Sequence, residues 1–548
     1  MTDHDTNYNL SANDRNTLLQ QLDRDNAPEW DLIVIGGGIT GAGILREAAQ
    51  RGYRTLLLEQ QDFAWGSSSR SSKMIHGGLR YLAGGNWKLT RESLIEREKL
   101  LAEAPGLIER IDYYFTIIRG KFPGRWSFYL LLSLYDLFAG IKDHGFIKIG
   151  IFKKLFPGIA AHGLTGAYRY SDAITNDARL VMRVIQEGLA DGGHALNYMR
   201  VKTLHRERGN VCGVHVKDTI CSITRLLRCK VVINATGAWA DQIQDQIKPA
   251  FQVRPLRGSH LVIPSEIMPV KDVLTFFHPT DKRGVFVYPW EGVTVIGTTD
   301  LDHASGLDQE ARIDAKELAY LLTAYNSQFP NQTLREGDIL STWAGVRPVI
   351  RKNKVTRPSK ESREHAIWFN SGLITVCGGK LTTFRVLAEQ LVHAIQLSKG
   401  SHNVIPSRQQ TKNCIFRRVD LTAEQLFPQD IDLAKKLISR YGNSADQLIK
   451  QMPSDELTRI STTLFCLAEC RWIARHEFVQ HLDDLLLRRT PLGLILRANG
   501  MEIYPALRAI CAQELGWDPD QWRIELQRYQ DICDRYYSLP KGNHAAAA

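Results

Sequence analysis

One stretch, Asp31-Leu-Ile-Val-Ile-Gly36-Gly-Gly38-Ile-Thr-Gly41, indicates the fold of the N-terminal part of the chain. Its apolar run predicts a buried strand, its glycines a tight turn, and the following Ala42–Gly52 a helix. In this order Gly36 permits the turn, Gly38 lets the backbone approach a pyrophosphate, and Gly41 allows close helix–strand packing. The amides and the positive dipole end of the helix would face the same pyrophosphate. The stretch therefore predicts a dinucleotide-binding site.

NAD and FAD both use such a loop, and two observations favour FAD. The sequence has no second GxGxxG, and Val231–Gly237 (VVINATG) resembles the strand-to-ATG segment with which many FAD proteins return to the cofactor. A second predicted strand, Thr55–Leu58, ends at Glu59, where a carboxylate meets the adenosine ribose hydroxyls. We therefore expect FAD to be bound by Gly36, Gly38, Gly41, Glu59, Thr236 and Gly237.

Length, composition and net charge limit the number of domains, the cellular compartment and the partners that can be expected. A chain of 548 residues exceeds what one core supports, so two or three domains are expected. Nine cysteines without a CxxC pair predict a reduced intracellular protein with neither a zinc nor an iron–sulfur site. The absence of a signal-like N-terminus and of a long apolar run predicts a bacterial cytoplasmic protein. The net charge of +10 suits nucleic acid, an anionic membrane or a phosphorylated substrate, and does not choose among them.

Strand and helix patterns divide the chain into three parts. Residues 1–29 are polar and predict a flexible N-terminal extension, with a short helix left open at Thr17–Leu22. In residues 30–405, short β-branched runs alternate with helical stretches, which predicts interleaved FAD-binding and substrate domains in a mixed α/β body. In residues 406–548 the strand signals fade and amphipathic patterns predict a helical C-terminal domain.

Several motifs, in order, resemble those of FAD-dependent sn-glycerol-3-phosphate dehydrogenases. The first is Ser67–Leu82 (SSSRSSKMIHGGLRYL), and the resemblance spans roughly residues 30–535. It implies a Rossmann-type, p-hydroxybenzoate-hydroxylase-like FAD fold, oxidation of glycerol 3-phosphate to dihydroxyacetone phosphate, and electron delivery to quinone at a membrane. The later motifs are Arg257–His260, Val295–Asp300, Ala344–Pro348, Gly378–Arg385 and Asp484–Thr490.

Two of these motifs add expected cofactor contacts. The serine run offers hydroxyls and backbone amides to the pyrophosphate or the isoalloxazine. The strand, glycine turn and helix around Gly378–Lys380 would aim amides at the flavin edge where negative charge accumulates on reduction. The residues expected to contact FAD here are Ser68, Ser69, Ser71, Ser72, Gly379, Lys380, Leu381 and Thr382.

A three-carbon phosphate ester presents one dianionic group, for which cations and hydroxyl donors are the usual partners. Arg80, Arg347 and Lys380 each lie near glycines, where a charged side chain can project into a cavity. Tyr81 and Thr299 can add hydroxyl donors. These five residues are the predicted substrate-binding set.

Oxidation of a secondary alcohol also requires a proton acceptor whose pKa lies near the working pH, which points to histidine. His260 is the preferred base and His76 is expected near the flavin, although the reverse assignment stays open. Arg347 completes the predicted catalytic group.

The most apolar stretch, Trp126–Phe138, is flanked by basic residues and is too short to span a bilayer. It is either a core helix or an interfacial one, and we expect peripheral docking on the inner face of the cytoplasmic membrane.

Alternative functions are a related flavin oxidase that uses oxygen or an amine substrate, and a flavin-containing nucleic-acid binder. Nucleic acid is not expected as a partner, because no binding motif accompanies the charge. A homodimer is left open.

Overall fold

The computed structural model describes residues 12–24, 29–244, 252–351, 365–397 and 414–540. The strands in these ranges are β1 (Trp30–Ile35), β2 (Thr55–Leu58), β3 (Met74–Ile75), β4 (Ile108–Ile118), β5 (Gly145–Lys148), β6 (Leu164–Thr175), β7 (His194–Leu196), β8 (Met199–Glu207), β9 (Asn210–Asp218), β10 (Thr224–Asn234), β11 (Val253–Pro264), β12 (Val273–Phe277), β13 (Gly284–Trp290), β14 (Val293–Gly297), β15 (Leu301–Asp302), β16 (Ser341–Ile350), β17 (Ala366–Asn370) and β18 (Leu373–Cys377).

The α-helices of the same ranges are α1 (Ala12–Leu22), α2 (Ile39–Gln50), α3 (Leu79–Ala83), α4 (Trp87–Glu103), α5 (Arg125–Ala139), α6 (Ile149–Leu155), α7 (Asp177–Ala190), α8 (Ala240–Gln244), α9 (Ala315–Gln328), α10 (Phe384–Leu397), α11 (Ala423–Leu426), α12 (Ile431–Tyr441), α13 (Ser444–Gln451), α14 (Leu467–His476), α15 (Leu492–Ile495), α16 (Tyr504–Leu515) and α17 (Pro519–Ile532). None of the helices described here is long and apolar enough to cross a membrane.

The first sheet carries the dinucleotide motif. Its strand order is β17-β18-β10-β1-β2-β7, and the strands from β18 to β7 run parallel. Ile35 at the end of β1 pairs with Asn234 of β10 and with Leu58 of β2, so the carboxyl ends of three strands meet at one edge. Helices α2, α7 and α10 share a core with this sheet. Ligands of open parallel sheets bind at such an edge.

The second sheet has the order β15-β11-β14-β13-β12-β4-β6-β3, with β16 beside β11 and β5 beside β6. Helices α6 and α9 pack in the core on one side of it. The other side shares a core with α5 and with the C-terminal helices α11 to α17. The predicted fold class, a Rossmann-type FAD-binding domain interleaved with a mixed-sheet domain and followed by a helical domain, is confirmed. The predicted boundary between residues 405 and 406 lies outside the described residues.

The N-terminal segment differs from its prediction. Between Ala12 and Leu22 it is not a flexible extension but the helix α1, which includes the short helix left open at Thr17–Leu22 and whose Leu18, Leu19 and Leu22 are buried in the core beneath the first sheet. Arg15 is also buried and donates to Asp218 at 3.2 Å. The polar composition misled the sequence analysis because three leucines on one helical face suffice to anchor so short an element.

Candidate active site

One large cavity, of about 860 Å³, runs between the two sheets. It begins at the carboxyl ends of β1 and β2, passes the serine run, and ends in an aromatic region next to α5. The predicted residues that line it are Gly36, Gly38, Glu59, Ser68, Ser71, Ser72, His76, Arg80, Tyr81, Thr236, Gly237, His260, Arg347, Gly379, Lys380, Leu381 and Thr382. Gly41, Ser69 and Thr299 do not line it.

The glycine loop has the geometry that its sequence predicts. Gly36 adopts a φ of +112°, and a Cβ there would lie 2.6 Å from the carbonyl oxygen of Ala235. A Cβ on Gly41 would lie 1.9 Å from the carbonyl oxygen of Gly36, so Gly41 serves packing and not the cavity. At Gly38, which lines the cavity, the nearest atom to a Cβ would be Ser68 Oγ at 3.0 Å. The loop therefore leaves its backbone open to a ligand at the start of α2.

Glu59 closes the nucleotide end of the cavity. Its Oε2 accepts a hydrogen bond from the amide of Gly37 at 2.6 Å, and its Oε1 accepts one from the amide of Gln61 at 2.9 Å. Burial raises the pKa of Glu59 to about 7, against the opposing effect of these amides. Gln60 and the start of β8, Met199–Leu204, complete this end of the cavity and were missed, because nothing in their residue types marks a nucleotide contact.

Part of the serine run makes hydrogen bonds within the protein, where contacts to the cofactor were predicted. The Ser71 hydroxyl donates to Asp177 at 2.7 Å, and the buried Lys73 ammonium lies 2.7 Å from the same carboxylate. Ser69 is buried beside Lys73, whose ammonium donates to the Ser69 carbonyl, so we correct the predicted cofactor contact of Ser69. Ser68 and Ser72 keep their predicted place in the cavity wall; the Ser68 Oγ accepts from the amide of Ile39 at 3.0 Å.

The C-terminal domain holds the segment between Glu59 and the serine run. Asp62 in this segment is fully buried and lies 2.7 Å from guanidinium nitrogens of both Arg488 and Arg489. Farther along, Arg70 donates to the Tyr537 hydroxyl at 2.9 Å. The Asp484–Thr490 motif, whose role the sequence did not reveal, thus supplies two buried cations to a carboxylate three residues after Glu59.

His260 lies in the inner part of the cavity wall. The register of β11 with β16 pairs His260 with Trp343, and the two rings stack with centroids 4.9 Å apart. One ring nitrogen, Nε2, lies 2.8 Å from Ser72 Oγ, whereas the buried Nδ1 has no partner among the described residues. Burial, together with the neighbouring cations Arg347 and Lys73, holds the pKa of His260 well below its usual range. The imidazole is therefore neutral at pH 7 and able to accept a proton.

Arg347 lies on the same face of the β11–β16 pair, since it pairs with Leu256, four residues before His260. Its Nη1 is 2.8 Å from Asp300 Oδ1, and its Nη2 donates to Thr298 Oγ1 at 3.3 Å. Asp300 Oδ2 lies 2.8 Å from Arg283, a second arginine of the cavity wall. One buried carboxylate thus orients two arginines.

The prediction for Thr299 is wrong. Its hydroxyl donates to Glu317 at 2.6 Å and accepts from the amide of Ser259 at 2.9 Å, and its side chain is buried away from the cavity. Thr298 occupies the predicted place instead, with its hydroxyl next to Arg347. Arg283 was also missed, because an arginine in the polar turn before β13 resembles any exposed charge.

The remaining predicted substrate residues meet at the ends of α3 and α10. The Lys380 ammonium lies 3.7 Å from the centroid of the Tyr81 ring and donates to Ser93 at 3.3 Å. The His76 ring is 6.4 Å from that of Tyr81. Arg80 lines the cavity from the exposed side of α3, a short helix where a glycine-flanked turn was expected. The structure therefore brings His76, expected near the flavin, together with Arg80, Tyr81 and Lys380 of the predicted substrate set.

The far end of the cavity is aromatic. Phe115 stacks on Phe128 of α5 with ring centroids 4.5 Å apart and meets Phe277 edge-on at 5.3 Å. Phe122, which is 86% exposed, lies at the mouth. The cavity thus extends from the glycine loop to Phe128 and Leu131 on the inner side of α5.

Comparison with known proteins identifies the family of the chain. Residues 31–393 match the family described as FAD dependent oxidoreductase, and residues 397–522 match the C-terminal domain of alpha-glycerophosphate oxidase. The chain is 32% identical over 537 residues to an aerobic glycerol-3-phosphate dehydrogenase of Bacillus subtilis (strain 168), covering 93% of this chain and 95% of that protein. A similar relative in Staphylococcus aureus (strain USA300) is 31% identical, with the same coverage.

A solved structure is also similar over nearly the whole chain. It is the glycerol-3-phosphate dehydrogenase of Bacillus halodurans complexed with FAD, with a TM-score of 0.75 and 26% identity, covering 96% of this chain and 98% of that one.

Proposed function

The chain belongs to the family of FAD-dependent glycerol-3-phosphate dehydrogenases, and on that premise we propose that its cavity oxidises sn-glycerol 3-phosphate to dihydroxyacetone phosphate. One observation carries the proposal. A single cavity joins a glycine loop of dinucleotide-binding geometry to a neutral buried histidine and to a cluster of cations. The members of the cluster are Arg80, Arg283, Arg347 and Lys380.

The residues at the nucleotide end fit FAD. The backbone is open at Gly38, the start of α2 offers amides, and Glu59 presents a carboxylate to ribose hydroxyls. Thr236 and Gly237 line the opposite wall, and Gly379 with Lys380 closes the inner part before α10. When bound, FAD supplies the acceptor for the hydride of the substrate.

The cations bind the phosphate of the substrate. Arg347 and Arg283 flank Asp300, which neutralises one of the two positive charges and holds both guanidinium groups in place. Lys380 and Arg80 add charge from the other side of the cavity. A phosphate dianion suits this arrangement better than the single carboxylate of an amino acid, because two arginines and a lysine exceed the charge that a carboxylate would balance.

His260 accepts the hydroxyl proton. It is neutral, buried, and held by Ser72 and Trp343 beside Arg347, whereas His76 lies beside Tyr81. Because Arg347 disfavours a second positive charge nearby, the imidazole of His260 stays unprotonated until the substrate hydroxyl gives up its proton. The base is therefore in its reactive, neutral form when the substrate binds.

A substrate panel tests the proposal. Purified protein is assayed with sn-glycerol 3-phosphate, glycerol and glycine, using a soluble dye as acceptor and a parallel assay for peroxide. We expect dye reduction with the phosphate ester, at least about 100-fold less with glycerol, since two or more charge-assisted contacts are lost, and little peroxide. Efficient oxidation of glycine, or one peroxide per turnover, would instead favour the amine or oxygen-dependent alternatives.

We further propose that the chain docks on the inner face of the cytoplasmic membrane and passes its electrons to quinone. One face of α5 exposes Trp126, Leu130 and Leu137, which are 77%, 67% and 72% exposed. Exposed cations surround it, as an anionic bilayer would favour: Arg119, Lys121, Arg125, Lys142, Lys148, Lys153 and Lys154. The aromatic end of the cavity opens next to this face at Phe122, which gives a lipid-soluble acceptor a short route. The homodimer stays a prediction.

Vesicle binding tests the docking. In a triple variant, Trp126, Leu130 and Leu137 are changed to serine; the control changes Phe369, Met501 and Ile524 to serine, which are 53%, 58% and 52% exposed on other elements. Cosedimentation with vesicles containing phosphatidylglycerol should fall at least tenfold in the first variant only. Equal binding of both variants would contradict the proposal. The apolar pattern of the sequence would also select Leu131, Leu134 and Phe138 for substitution. These side chains are partly buried against the core, so changing them would reduce the stability of the protein as well as its binding to vesicles.

A further inference from the structure

The hairpin of β8 and β9 carries a cluster of metal-ligand side chains on its outer face. His205 and Glu207 lie two residues apart on β8, and Cys212 lies opposite them on β9. An imidazole nitrogen, a carboxylate oxygen and the thiol sulfur of these residues all lie within 4.8 Å of one another. Among the residues that the structure describes, no other group of histidine, cysteine and acidic side chains meets this criterion.

The backbone explains how the cluster forms. His205 pairs with Gly213, but Arg206 pairs with Val211, so Cys212 is the extra residue of a β-bulge. A bulge redirects a side chain, and here it turns the thiol toward the ligands of β8. Arg208 and Gly209, with φ of +49° and +85°, form the tight turn that closes the hairpin. The three side chains are therefore held on a short, well-defined scaffold.

We propose that this cluster binds a borderline divalent transition-metal ion, with Zn²⁺ as the best match. Thiolate, imidazole and carboxylate are the ligands that Zn²⁺ takes in proteins, at bond lengths of about 2.0–2.3 Å that place tetrahedral ligands about 3.3–3.8 Å apart. Small side-chain rotations that move the ligand atoms by about 1 Å bring them from within 4.8 Å of one another to that spacing. His215, whose ring lies 5.4 Å from that of His205, is a further imidazole beside the cluster, and water completes the coordination of the ion.

The carboxylate of the cluster already has a cationic neighbour. Arg228 and His205 both bind Oε1 of Glu207, and no hydrogen bond to Oε2 is formed within the described ranges. Oε2 can therefore bind the ion while Arg228 stays on Oε1 as an outer partner that orients the carboxylate.

The absence of a CxxC pair predicts no zinc site. The three ligands of the cluster come from two strands, at positions 205, 207 and 212, and Cys212 depends on a bulge that the sequence does not reveal. The site lies just beyond the part of β8 that lines the nucleotide end of the cavity.

Competition with a chromophoric chelator tests the proposal on the full-length, FAD-loaded protein after removal of metals. Cys212→Ser and His205→Ala are compared with Cys221→Ser, a control that removes an exposed thiol at the far end of the same strands. We expect one Zn²⁺ per chain, no comparable binding of Mg²⁺, and affinity weakened by about tenfold or more in the first two variants. Affinity should also tighten as the pH rises, since a thiol proton is released.

A second readout separates ligand loss from misfolding. Co²⁺ bound to the cluster should show sulfur-to-metal charge-transfer absorption, which Cys212→Ser abolishes while the flavin spectrum and melting temperature stay unchanged. The proposal is overturned if no stoichiometric Zn²⁺ binds, if Cys212→Ser binds as tightly as the parent protein, or if Cys221→Ser loses as much affinity as Cys212→Ser.

Discussion

Replacing His260 by glutamine should slow flavin reduction by about 10²- to 10⁴-fold, the usual contribution of a general base. This range corresponds to about 3–5 kcal/mol of activation free energy at 1.36 kcal/mol per factor of ten. Glutamine keeps a polar atom within reach of Ser72 and fills much of the space beside Trp343, so the fold should survive. The KM for the substrate should change little, because Arg347 and Lys380 are untouched.

The assay is anaerobic stopped-flow reduction of the flavin as a function of pH. In the parent protein the rate should fall only below pH 6.5, since the pKa of His260 is lowered and protonation removes the proton acceptor. The glutamine variant should lose this acid limb and be slow at every pH. His278→Gln is a matched control, because His278 is equally buried but stacks on Tyr320 outside the cavity. A His260→Gln rate within tenfold of the parent, with the acid limb intact, would refute the assignment.

Three further changes test other parts of the site. Glu59→Gln replaces the carboxyl acceptor of the Gly37 amide and of the ribose hydroxyls by a neutral amide and should weaken FAD binding by about 3- to 10-fold in a fluorescence titration; unchanged affinity would exclude this role. Thr298→Val should raise KM by about 3- to 10-fold, whereas Thr299→Val should lower the melting temperature and leave KM near the parent value, and the reverse pattern would restore the original prediction. Arg489→Met leaves Asp62 short of a buried partner and should cost about 3–5 kcal/mol of unfolding free energy with loss of bound flavin, whereas a variant of parental stability and flavin content would show that the contact is dispensable.

Local motifs predicted the parts of the site that depend on local backbone geometry. The turn between β1 and α2 requires glycine at Gly36 and Gly41 for steric reasons, and those requirements act within a few residues. The strand that ends at Glu59 and the helix that follows Gly379 were predictable for the same reason. The family resemblance added His260 and Arg347, which strand register then brought onto one face.

The parts that depend on distant contacts could not be predicted. Choosing Thr299 over Thr298 was an error about which of two adjacent side chains faces the cavity, and only the packing of Glu317 from α9 decides it. Arg283 acquires its place through Asp300, seventeen residues later in the chain. The link between Asp62 and Arg489 spans 427 residues, so no local pattern could reveal that the C-terminal domain holds the cofactor segment.

The central claim is that one cavity holds FAD and oxidises glycerol 3-phosphate, and the visible spectrum of the purified protein under anaerobic conditions tests it most directly. The protein should show bound flavin, and stoichiometric sn-glycerol 3-phosphate should bleach its absorption band and yield dihydroxyacetone phosphate. A protein that binds no flavin, or whose flavin stays oxidised with excess glycerol 3-phosphate, would contradict the account.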